Sequence, residues 1–165
     1  MRRFSVSILI VLALVSGARA EPTAIALDFL AGAWELRDAS GKVLGTSVVE
    51  IQEAGAVLFE RRTVGEGKPQ SLWLVNAENP AGWGQLFLGP KRQVREFRAM
   101  SAPGAWPIVM GGEFVTQDGK ATRFRMTMTR GSGDDTRRVL ELSRDGGANW
   151  STAFDYTYVR QGGKP

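Results

Sequence analysis

The 165-residue chain predicts an all-β protein, an antiparallel up-and-down β-barrel of about ten strands with a short N-terminal helix. Three observations carry this. From Gly32 onward the sequence breaks into short runs in which apolar and polar residues alternate with period two. Gly, Pro, Asn and Asp, which suit the backbone of tight turns, separate the runs. No connection is long enough to hold a crossover helix, so successive strands pair antiparallel. A meander of this length disposes of its two edges by closing on itself.

Residues 1–20 stand apart from that grammar. Arg2 and Arg3 precede the apolar run Ile8-Leu9-Ile10-Val11-Leu12-Ala13-Leu14-Val15. Ala18-Arg19-Ala20 then places small residues at the two positions a signal peptidase reads. The run is far shorter than the roughly 20 residues a membrane-crossing helix needs. It reads as a cleaved signal peptide, which makes residues 21–165 a single barrel domain with a periplasmic or secreted location. No other run is long enough for a helical membrane span.

Residues 21–30 read as a short helix, with Thr23 as N-cap and Ile25, Leu27, Phe29 and Leu30 loosely along one side. Strands follow near 33–39, 43–53, 56–64, 71–77, 83–88, 93–101, 106–117, 120–130, 136–144 and 149–160. Their turns are explicit: Ser40-Gly41-Lys42, Ala54-Gly55, Asp118-Gly119 and Asp145-Gly146-Gly147. In the eighth strand Phe124, Met126 and Met128 oppose Arg123, Arg125, Thr127 and Thr129. In the tenth, Trp150, Thr152, Phe154, Tyr156, Tyr158 and Arg160 are expected to share a face.

Composition excludes several functions. The chain has 21 Lys and Arg against 17 Asp and Glu, but loss of Arg2, Arg3 and Arg19 with the signal leaves 18 against 17. No basic excess remains to displace counterions from phosphates, so a nucleic-acid partner is not implied. The absence of cysteine rules out disulfides. The absence of histidine removes the usual general base, the commonest zinc ligand and a Ser-His-Asp triad. No cofactor, metal or catalytic residue is assigned.

Residues 143–150, SRDGGANW, match Ser-x-Asp-x-Gly-x-x-Trp, the Asp-box turn that recurs around sialidase propellers. Here the pattern occurs once, in a chain too short for six blades. Its chemistry is local: Asp145 accepts hydrogen bonds from the turn backbone, Gly147 supplies left-handed geometry beside Gly146, and Trp150 packs beneath. The motif reads as the hairpin joining the last two strands.

Residues 28–36, DFLAGAWEL, put a helical turn before Gly32-x-Trp34 at the entry to the first strand. This resembles the Gly-x-Trp motif of lipocalins and their lipocalin-like relatives. The resemblance implies that Trp34 closes one end of the barrel and that Arg160, near the end of the last strand, packs across its indole. Departures are plain. The Thr-Asp-Tyr motif of that family is missing from its place, Phe154-Asp155-Tyr156 lying in the last strand instead. The haem chemistry of the nitrobindin-like branch lacks its histidine.

Candidate ligand contacts are Trp73, Trp83 and Trp106, with Met126, Tyr156 and Tyr158. Glu60 and Arg98 join them if Glu60, Arg62, Glu96 and Arg98 form an interior polar cluster. The competing readings are a core filled by these side chains and ion pairs outside the barrel. Arg160 has two readings as well, a stack on Trp34 or a clamp for a carboxylate ligand with Tyr158 or Tyr156. The functional expectation is an exported, non-enzymatic barrel binding a small hydrophobic or amphipathic ligand. The alternatives are an interaction module with a side-chain-filled barrel and a histidine-free enzyme pairing Glu60 with Glu96.

Overall fold

The computed structural model of the chain describes residues 27–52, 57–66, 69–76, 84–89, 93–102, 105–116 and 118–162. Residues 1–20, where a signal peptide is expected, residues 21–26 and Trp83 lie outside these, as does the side chain of Trp73. The described residues form ten strands: β1 (Gly32–Arg37), β2 (Val43–Gln52), β3 (Val57–Val64), β4 (Pro69–Asn76), β5 (Gly84–Gly89), β6 (Gln93–Ala99), β7 (Ile108–Val115), β8 (Ala121–Arg130), β9 (Thr136–Ser143) and β10 (Ser151–Arg160). Each pairs antiparallel with its neighbours in sequence, and β1 pairs with both β2 and β10, closing the barrel. Where a helix was expected, the described part is a single 3-10 turn, Asp28–Leu30. No described helix is long and apolar enough to cross a membrane.

Period-two alternation sorts the faces. Trp34, Leu36, Val49, Leu58, Phe97, Ile108, Met110, Phe124, Met126, Met128, Leu140 and Tyr158 are buried inside. Arginines and carboxylates pair across the outer face, as in Arg125–Glu141 and Arg137–Asp155. Being solvated, such pairs contribute little individually. Adjacent arginines part company across the wall. Arg61 meets Glu50 outside while Arg62 is buried, and Arg137 meets Asp155 outside while Arg138 is buried.

The last strand departs from its simple alternation. The β9–β10 register shifts between Thr152 and Phe154, a bulge that changes which parity points inward. Thr152 is therefore exposed, and Trp150 lies against the Arg125 guanidinium, 4.3 Å from the ring centre, rather than sharing the face of Phe154 and Tyr156.

At Gly45 the β2 and β3 backbones come too close for a side chain. A Cβ there would lie 2.0 Å from the carbonyl oxygen of Thr63 and 2.9 Å from Cα of Val64. Because the obstacle is backbone, no rotamer change relieves it. Gly45→Ala is expected to destabilise the fold by about 3 kcal/mol, the upper part of the usual overpacking range. Chemical denaturation with an unchanged m-value but a lowered midpoint would register it.

Candidate functional site

The meander gathers the β1–β2, β3–β4, β5–β6, β7–β8 and β9–β10 connections at one end of the barrel. The other end holds the 3-10 turn and the alternate connections. Described residues form a cap at this second end. The Trp34 indole, 1% exposed, donates from Nε1 to the carbonyl of Leu30 at 2.8 Å. The Arg160 guanidinium stacks 4.2 Å from its ring centre, donates to the carbonyls of Ala31 (2.8 Å) and Phe29, and faces Asp134 at 3.8 Å. Gly32 makes room for this clamp. It has φ +131°, and a Cβ there would meet Nη1 of Arg160 at 2.6 Å. Arg160 is thus occupied by the cap.

Above the cap lies a buried polar cluster. Glu60 is 2% exposed. One carboxylate oxygen accepts hydrogen bonds from Ser47 Oγ (2.7 Å) and Tyr158 OH (3.0 Å), while the other accepts from Arg138 Nη1. Arg62 Nη1 lies 3.4 Å from Tyr158 OH. Burial alone would raise the Glu60 pKa, but Arg138 and Arg62 beside it and the hydroxyl of Ser47 hold it below the ordinary value. Burial likewise opposes charge on Arg138, and the Glu60 carboxylate outweighs it. Burial is the main reason that the Tyr158 phenol is pushed up. The cluster is an ion pair locked into the wall, with no exposed acid to move a proton.

The candidate contacts whose side chains are described fall into four groups. Glu60, Tyr158 and Met126 are buried inside, Met126 in a row with Met110 and Met128. Tyr156 is half-buried on the inner face, stacked on Phe154 at 4.7 Å, with the Arg62 guanidinium over both rings. Arg98 is outside: its parity on β6 opposes that of buried Phe97, and its exposed guanidinium pairs with Glu96 at 2.9 Å. Glu96 is outside too, so it does not converge with Glu60 on a common cleft. Trp106 sits at the closed end because the connection after β6 returns there. It packs on Phe29 at 6.0 Å beneath Arg130 and borders a shallow hollow of about 450 Å³ with Pro107 and Thr129.

The Ser143–Trp150 turn is held by its own side chains. Asp145 accepts from Ser143 Oγ (2.8 Å) and from the backbone and side-chain nitrogens of Asn149 (2.9 and 2.7 Å). Those bonds, the Asn149 backbone bond first, hold its pKa far below the carboxylate range. Trp150 Nε1 donates to the Gly147 carbonyl at 2.9 Å. Every polar arm of the motif closes on the turn itself.

The opposite end differs in texture. Val64, Phe87, Phe114, Leu142, Phe154 and Tyr156 sit on the strand segments near that end and are only partly buried, although they pack on the core. Arg95 joins them on the inner face of β6. Sequence reasoning did not single out this residue, yet its parity with Phe97 carried the signal. No protein-family model, curated protein or solved structure matches the chain.

Proposed function

We propose that the chain is an exported, lipocalin-like barrel that binds a small apolar or amphipathic ligand at its open mouth and catalyses no reaction. One observation carries the reading. The inner apolar side chains near the mouth remain partly exposed, whereas those of the closed half, such as Trp34, Ile108 and Met128, are 1% exposed. Apolar surface that faces inward yet stays accessible suits a ligand site with a few polar groups at its edge. The Gly32, Trp34 and Arg160 closure supports the lipocalin-like assignment, and the signal-like residues 1–20 support export.

The filled closed half also favours a second reading, an interaction module with no small-molecule ligand. One experiment separates them. The chain, purified with its N-terminal segment encoded, is extracted with organic solvent and analysed by mass spectrometry, and tryptophan fluorescence is followed during titration with apolar fluorophores. The carrier reading expects a co-purifying small molecule near stoichiometry and a saturable quench at micromolar ligand. An empty extract together with flat titrations would leave the interaction module.

A further inference from the structure

The mouth carries a cation, Arg95, that no carboxylate among the described residues pairs. Arg95 lies opposite Phe87 in the β5–β6 ladder, on the same inner face as Phe97. Its guanidinium stands 4.2 Å from the centre of the Phe114 ring and 5.8 Å from that of Phe87. No ion pair or hydrogen bond to a described residue holds it. Other inward or half-buried arginines differ: Arg62 meets the Tyr158 hydroxyl, Arg37 has Glu35, Arg138 has Glu60, Arg125 has Glu141, and Arg160 has two carbonyls of the cap. Burial among aromatic rings lowers the Arg95 pKa, and no acid among the described residues offsets it. Arg95 also spans the weakest seam of the barrel, since β6 and β7 pair only at Arg98–Gly111 and Ala99–Met110.

A second, independent group lies beside it. Gln85 is two residues deeper along β5 than Phe87 and pairs with Phe97, which places it diagonally from Arg95. It is 2% exposed, and both its amide nitrogen and its amide oxygen are buried without a hydrogen-bond partner among the described residues. A buried amide that satisfies neither atom costs roughly 1–3 kcal/mol, which a ligand able to pair with it would recover. Depth sets the third constraint. Among the described residues, the interior below this level is occupied by Met110, Met126, Met128, Ile108 and Trp34, each at most 1% exposed. Against these side chains a long alkyl tail has no channel to enter.

From these observations we infer that the mouth takes a compact, planar aromatic anion. Its carboxylate or similar anionic group pairs with Arg95, its ring lies among Phe87, Phe114 and their neighbours, and Gln85 pairs with a polar atom at its inner end. A planar guanidinium suits a bidentate anion while its faces rest on the phenyl rings. The inference rests on the carrier reading of the barrel and narrows its ligand class.

The test is calorimetric titration of the purified full chain with three probes: naphthoate, its uncharged analogue naphthamide, and dodecanoate. Naphthoate is expected to bind at least about tenfold more tightly than naphthamide, and dodecanoate no better than naphthoate. Arg95→Gln should weaken naphthoate about tenfold and leave naphthamide unchanged, while Arg95→Lys, which keeps the charge, should restore part of the difference. Circular dichroism of both variants checks that the barrel persists. Should naphthoate and naphthamide bind alike in both the parent chain and Arg95→Gln, the role of Arg95 is overturned and the carrier reading stands. Much tighter binding of dodecanoate would overturn the compact ligand, and silence from all three probes would remove the carrier reading itself.

Discussion

Glu60→Gln is expected to lower the stability of the barrel by about 3–5 kcal/mol, the usual cost of removing one partner from a buried ion pair. The glutamine keeps the size of the side chain and leaves Arg138, 4% exposed, without its carboxylate. Most of the loss is the cost of a buried charge left uncompensated rather than the worth of the lost attraction. Two controls follow. Glu60→Gln combined with Arg138→Gln should cost clearly less than the sum of the two single changes, because the groups are coupled. The pH dependence has a definite sign. The Glu60 pKa is lower in the folded chain than its ordinary value of 4.5. Its stabilisation is therefore fully present above that value and is lost as the pH falls through the lower, folded-state value. The gap between parent and Glu60→Gln in urea midpoint should be constant at neutral pH and narrow in acid. A gap that widened in acid would contradict the assignment.

Trp34→Ala is expected to cost about 3–5 kcal/mol, the range for truncating a large buried aromatic. The indole stands between the core and the cap. It meets Tyr158 edge-on at 6.5 Å, bonds the Leu30 carbonyl, and supports the Arg160 guanidinium. Arg160→Ala alone should cost less, about 1–3 kcal/mol, combining a stack with charge-assisted hydrogen bonds to carbonyls. In the Trp34→Ala background the Arg160 change should be smaller still, since its platform is gone. Thermal unfolding of the four chains closes this cycle. Fully additive losses would mean that the stack is only proximity.

All ten strands were legible in the sequence to within a few residues, because alternation and turn residues both report local backbone geometry. Gly32, Trp34 and Arg160 were legible through a resemblance, not through periodicity. What could not be read is non-local. Glu60 and Arg138 are 78 residues apart and meet only because the ring closes. In Arg61-Arg62 and Arg137-Arg138, alternation requires one arginine to face inward, but naming that one needs the register. The β10 bulge shows how one extra residue misleads: it moved Trp150 and Thr152 off the inner face without changing the strand's composition. Arg98 was lost to the same ambiguity, while Arg95, the inward arginine of that strand, passed unnoticed.

The pairing of Trp34 with Arg160 and of Leu36 with Tyr158 also bears on how the molecule forms. Every other ladder joins neighbours along the chain and needs only a hairpin-sized loop to close. The β1–β10 ladder instead closes a loop of more than a hundred residues, whose entropy must be met before any of its contacts contributes. A ribosome-bound chain lacking its last strand has no partner for the free edge of β1 and no guanidinium for the Trp34 platform. Closure of the barrel therefore waits for the ten-residue strand β10, which acts as its clasp.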